Sequence, residues 1–171
     1  MYSTPTYQDY RDIRLSVSSY LIVLEQEDDM VLEHICGHLN ESIPYSLLIQ
    51  PSCDDKGIEA VTHALMQYLG NAKAGIHSIV VGSEIFIWKV QHTLTQLGAL
   101  QEEFTLILQA GEQSKKQVYC VHCGYQQNTQ EEYFTCEQCK VHLMTRSHFS
   151  QRLGAYMGVC ANAHQPLGAA S

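Results

Sequence analysis

Positive charge is scarce in this chain: 171 residues carry 10 Lys and Arg against 18 Asp and Glu, a formal net charge of −8. A phosphate backbone would be repelled by most of such a surface, which argues against nucleic acid as a partner. Long hydrophobic runs are missing as well. The longest apolar stretches have the length of a strand, so no membrane span is expected. The first ten residues, Met1 to Tyr10, are polar and lack the apolar stretch of an export signal. There is no G-x-G-x-x-G, no Walker lysine and no G-x-S-x-G, and no catalytic set can be argued from spacing.

What remains is globular in composition, 45% apolar and 16% charged. The charge is unevenly placed. Up to Gly111 the net is −9, and from Glu112 onward it is +1. The basic residues of the second part (Lys115, Lys116, Lys140, Arg146, Arg152) are scattered and form no patch.

The most specific feature is a quartet of cysteines in two pairs, Cys120-Val121-His122-Cys123 and Cys136-Glu137-Gln138-Cys139. Two Cys-x-x-Cys turns a short distance apart can bring four thiolates to one tetrahedral centre, the arrangement of zinc ribbons and rubredoxin-type iron sites. Cys120, Cys123, Cys136 and Cys139 are therefore the candidate metal ligands. Thiolates cluster only if a cation offsets their repulsion, so metal binding and folding of this part should be coupled. Zinc as a structural staple is the first reading; iron with an electron-carrying role is one alternative, and a stand-alone zinc-ribbon interaction module is another. Gly124 after the first pair suits a rubredoxin; Lys140 after the second stands where rubredoxins commonly carry Gly. Cys36, Cys53 and Cys160 need no disulfide partner in a reducing compartment, and a cytoplasmic location is expected.

Along the chain, residues 1 to about 14 read as a flexible lead-in. Strands are expected at 19–24, 45–49, 76–81 and 103–108, all continuous apolar runs. Helices between them start at Asp28 or Asp29, at Asp54 or Asp55, and after Gly82-Ser83. Their apolar stripes include Met30, Ile35 and Cys36, then Val61 and Leu65, then Phe86, Val90, Leu94 and Leu97. This order predicts an α/β fold: a small parallel sheet in a three-layer domain over residues 15–111, followed by a four-cysteine zinc ribbon over 116–160. In the ribbon, 126–132 reads as a polar loop and 141–144 as an exit strand. The segment from His148 to Val159 mixes small residues with Phe149, Leu153, Tyr156 and Met157. It either packs back on its own ribbon or docks another subunit.

Two further features have a structural and a functional reading. His34 and His38 stand at i and i+4 on one helix face, so a metal site is geometrically possible, and an exposed polar face explains them equally. The turn Val81-Gly82-Ser83-Glu84 could hold a phosphate on backbone N–H groups, but a single glycine there is more often a tight connection.

The cysteine knuckles and the stretch His148-Phe149-Ser150-Gln151-Arg152-Leu153-Gly154-Ala155-Tyr156-Met157-Gly158-Val159 resemble the small, DmmA-like subunit family of bacterial dimethylamine monooxygenase. The resemblance implies an accessory or structural subunit of a multi-subunit, NAD(P)H- and oxygen-dependent enzyme that demethylates secondary amines. The haem and the flavin and iron–sulfur groups would then lie on partner subunits. Residues 79–98 are similar, more weakly, to the last strand-turn-helix of ferredoxin-reductase nicotinamide domains. Those proteins carry Cys-Gly-Pro at the turn, where this chain has Val81-Gly82-Ser83. The likeness implies a degenerate reductase-like domain kept as a scaffold.

Overall fold

The computed structural model describes residues 5–71, 74–109 and 115–162. The chain divides into two compact units, which over the described residues are 7–109 and, together, 5–6 and 115–162.

The first unit is built on four parallel strands, β1 (Ser19–Leu24), β2 (Tyr45–Ile49), β3 (Ile76–Gly82) and β4 (Phe104–Leu108), in the order β2-β1-β3-β4. Leu24 lies opposite Ile49 on one side and Val81 on the other, so the strand ends are level. Three helices connect them: α1 (Asp29–Cys36), α2 (Asp55–Gly70) and α3 (Glu84–Gln96). The caps are those the sequence offered. Asp28 accepts the Val31 N–H at 3.0 Å, Asp54 accepts the Gly57 N–H at 2.9 Å, and Ser83 accepts the Phe86 N–H at 3.4 Å.

The connection from β1 to β2 runs one way along the sheet, and those from β2 to β3 and from β3 to β4 run the other. Right-handed crossovers therefore put α1 on one face and α2 and α3 together on the opposite face. Ile35 of α1 joins Tyr20, Ile22, Leu24, Ile79, Val81 and Ile107 in one core cluster. The alternate residues Leu21, Val23, Val80 and Leu106, all buried, turn to the other face. Met30 and Leu97, expected in the apolar stripes, are 77% and 40% exposed. Met30 lies in the first turn of α1 and Leu97 is the C-cap of α3, each at a helix end.

From Tyr7 on, the lead-in has a defined place, contrary to the flexible reading. The Gln8 N–H donates to the Leu106 carbonyl, and the Leu106 N–H donates to Gln8 Oε1, both at 2.8 Å. Ile13 is buried in the α1 face core, and Trp88 Nε1 donates to the Tyr7 hydroxyl at 3.1 Å. This segment covers backbone groups that an edge strand would otherwise present to solvent.

The second unit is a five-stranded sheet of β5 (Lys116–Cys120), β6 (Gln126–Thr129), β7 (Tyr133–Thr135), β8 (His142–Ser150) and β9 (Ala155–Cys160), ordered β6-β5-β9-β8-β7. Only β5 and β9 run parallel, with Val118 opposite Tyr156 and Cys120 opposite Gly158. One sequence reading changes here. The polar loop at 126–132 contains β6, an edge strand whose Gln126 side chain bonds that of Gln117 at 2.7 Å. A strand of four polar residues with one paired edge carries no alternating apolar signal. The His148–Val159 segment packs back on its own ribbon: β8 and β9 form a hairpin, and β9 is the central strand.

Candidate metal centre

Each cysteine pair sits in a turn that the strands hold from both sides. The first knuckle leaves β5: the Cys120 N–H donates to the Tyr125 carbonyl at 2.8 Å, and the Val121 N–H donates to the Gly158 carbonyl of β9 at 3.1 Å. The second knuckle lies between β7 and β8, where the Cys136 N–H donates to the Val141 carbonyl at 2.9 Å.

The two turns repeat one local geometry. The residue after the second cysteine returns its N–H to the carbonyl of the first: Gly124 to Cys120 at 2.8 Å and Lys140 to Cys136 at 3.0 Å. Both residues have positive φ, 78° at Gly124 and 62° at Lys140. Thus Lys140 adopts the conformation glycine would favour, and its ammonium donates to the Glu137 carbonyl at 2.7 Å.

The turns bring the four sulfurs together. Cys120 Sγ lies 3.8 Å from Cys139 Sγ, Cys123 Sγ lies 3.7 Å from Cys136 Sγ, and all four fall within 4.8 Å of one another. A disulfide needs about 2.0 Å. A tetrahedron of sulfurs around a metal at about 2.3 Å has edges of about 3.8 Å. The sulfur set therefore matches a tetrathiolate centre and can hold one metal ion. That edge length belongs to any tetrathiolate with such bonds and does not choose between zinc and iron.

The electrostatics point the same way. Burial pushes the Cys120 thiol up to about 12, against the opposing N–H groups of Cys123 and His122. Burial also raises Cys136, but the N–H groups of Cys139 and Gln138, with the thiols of Cys139 and Cys123, outweigh it and bring it down to about 7. At Cys139 the Val141 N–H lowers the value, while burial and the thiols of Cys123 and Cys136 leave it raised on balance. Without a cation, one thiol of the cluster ionises readily and its neighbours resist. A divalent cation removes that conflict.

The first cysteine of each knuckle is buried, whereas Cys123 is exposed and Cys139 is half-buried. His122 is exposed and stands outside the sulfur set. The other cysteines lie elsewhere, with Cys53 near Gln26 and the Cys160 thiol donating to the Asn162 carbonyl at 3.0 Å.

Among the described residues, His34 and His38 belong to no group of three or more potential metal ligands. Their rings gather around Tyr10, with centroids 4.4 Å and 5.9 Å from it, and His38 Nδ1 bonds the His34 carbonyl oxygen at 2.9 Å. The sequence reading missed this cluster because Tyr10 belongs to the lead-in. Among the described residues, no helix is long and apolar enough to cross a membrane.

With this geometry in place, comparison with known proteins adds the following. Residues 117–159 match the family described as dimethylamine monooxygenase subunit DmmA-like, C-terminal domain. A curated relative, the heme-dependent oxidative N-demethylase delta subunit of Ectopseudomonas mendocina (strain ymp), is 40% identical over 99 residues. The match covers 57% of this chain and 55% of the relative, so the chain spans about half the relative's length. No solved structure matches.

Proposed function

We propose, from a C-terminal module that matches the DmmA-like C-terminal domain, that this protein is an accessory subunit of a multi-subunit, NAD(P)H- and oxygen-dependent amine monooxygenase. That enzyme would convert dimethylamine to methylamine and formaldehyde in the cytoplasm. The observation that carries the reading is the 40% identity to a protein named as the delta subunit of an oxidative N-demethylase, together with the family match over the cysteine module. Its partners would be a haem-bearing subunit and a flavin and iron–sulfur reductase subunit.

In this reading Cys120, Cys123, Cys136 and Cys139 ligate a structural zinc. Bound there, zinc supplies no redox chemistry; it cancels the repulsion of the thiolates and ties both knuckles to the sheet. The reductase-like unit over residues 15–111 serves as a scaffold. The test is co-expression with the remaining subunits, followed by affinity purification and an assay of NADH- and oxygen-dependent dimethylamine consumption. The chain should co-elute, and a complex assembled without it should lose most activity. Full activity and no co-elution would remove the proposal.

One observation favours a second reading, a rubredoxin-type iron electron carrier in the same complex. Cys123 is exposed beside Val121, itself 47% exposed, so one side of the centre reaches solvent, as electron exchange requires. Elemental analysis with a visible spectrum separates the two: one colourless zinc per chain for a staple, one coloured iron for a carrier.

A further inference from the structure

Open α/β sheets take their ligands at the carboxyl ends of the strands, where the strand order reverses. Here that point lies between β1 and β3, above Glu25 and Gly82. Helices α2 and α3 both begin at this edge on the same face, and helix N-termini attract anions. Leu24 faces the α1 side, so Glu25, the next residue, turns toward α2 and α3.

The place a phosphate would take is already filled. Glu25 Oε2 accepts the Ser83 N–H, and Glu25 Oε1 accepts the Ser83 hydroxyl at 2.8 Å. The Glu25 side chain lies so close to the end of β3 that a Cβ on Gly82 would stand 2.7 Å from Glu25 Cβ. At α2 the Gly57 N–H is bound by Asp54. Beside Glu25, on the other neighbouring strand, Gln50 follows β2; it is 6% exposed, and its Oε1 has no hydrogen-bond partner among the described residues. That atom is another acceptor. At Ser83 and Gly57 the edge thus turns donors to the chain's own carboxylates, where a phosphate would meet like charge.

We infer that this crevice is a phosphate-type site plugged by the chain's own Glu25 carboxylate, and that the α/β unit consequently takes no dinucleotide. Glu25 plays the part of the bound anion and fixes the β3–α3 turn. The inference does not depend on the assignment to a monooxygenase, since its readout involves no partner subunit.

The experiment is calorimetric titration of the full chain with NADH and with pyrophosphate, with the Ser83 amide resonance followed by NMR. The natural chain should bind neither. Glu25→Ala should gain pyrophosphate binding at least about tenfold tighter than the natural chain, with a shift at Ser83. Binding of NADH by the natural chain with a Ser83 shift would overturn the inference, as would a folded Glu25→Ala that gains nothing. If Glu25→Ala does not fold, Glu25→Gln, which keeps an acceptor for the Ser83 N–H and removes the charge, is judged by the same two criteria.

Discussion

At the scale of single residues, the two knuckles form an internal comparison. Gly124 and Lys140 occupy the same left-handed position, but only Lys140 carries a Cβ there. A left-handed conformation costs an ordinary residue about 1–2 kcal/mol. Lys140→Gly should therefore stabilise the metal-loaded module by up to about 1 kcal/mol, offset in part by glycine's greater unfolded freedom. Gly124→Ala should destabilise it by about 1 kcal/mol. Denaturant midpoints of the two variants should move in opposite directions. His77 offers a second residue-level test. It is 2% exposed, its Nε2 bonds Thr105 Oγ1 at 2.8 Å, and burial, then the charge of Arg14, lowers its pKa; the Glu102 backbone and the Glu103 charge act against them. The fold therefore prefers neutral His77, and the unfolded chain binds the extra proton. Stability from this group is complete above its ordinary value of about 6.5 and falls as pH drops below it. The melting temperature of the natural chain should decline below that pH more steeply than that of His77→Gln.

At the scale of elements, β9 decides how the second unit is held together. Gly158 sits where a Cβ would meet Val118 Cγ1 at 2.9 Å and Leu143 Cδ1 at 3.3 Å, so β9 fits between its neighbours because it is small there. Two residues earlier, Tyr156 packs edge-on against Phe149 with ring centroids 5.0 Å apart, and the Lys116 ammonium lies 5.1 Å from its ring centroid. Tyr156 is only 8% exposed. Tyr156→Ala should thus unseat the module's own core, costing about 3–5 kcal/mol as for other large buried aromatics. A variant that melts like the natural chain would show that Tyr156 carries little of this core. The mixture of glycines and aromatics in this segment was legible in the sequence, but not its role. A parallel partner nearly forty residues away leaves no local pattern.

At the scale of the whole molecule, the two compact units should respond differently to metal removal. Cys136→Ser, or a strong chelator, should unfold the β5–β9 module, because three thiolates do not close the site and the small core there needs the staple. The α1–α3 unit has its own core on each face of its sheet, and its far-UV helical signal should persist. Normal melting and full metal content in Cys136→Ser would sink the ligand assignment.

The sequence by itself determined what depends on local pattern. Four apolar runs became four parallel strands, Asp28, Asp54 and Ser83 became caps, and the spacing of two cysteine pairs marked one group of four converging sulfurs. Tertiary structure alone decided what depends on distant partners. It ordered Gln8 and Ile13 against the first sheet, gathered His34 and His38 around Tyr10, placed β9 beside β5, and set Glu25 on the Ser83 turn 58 residues away. Such contacts are chosen by the closing of the chain on itself, through side chains whose neighbours in sequence say nothing of their neighbours in space.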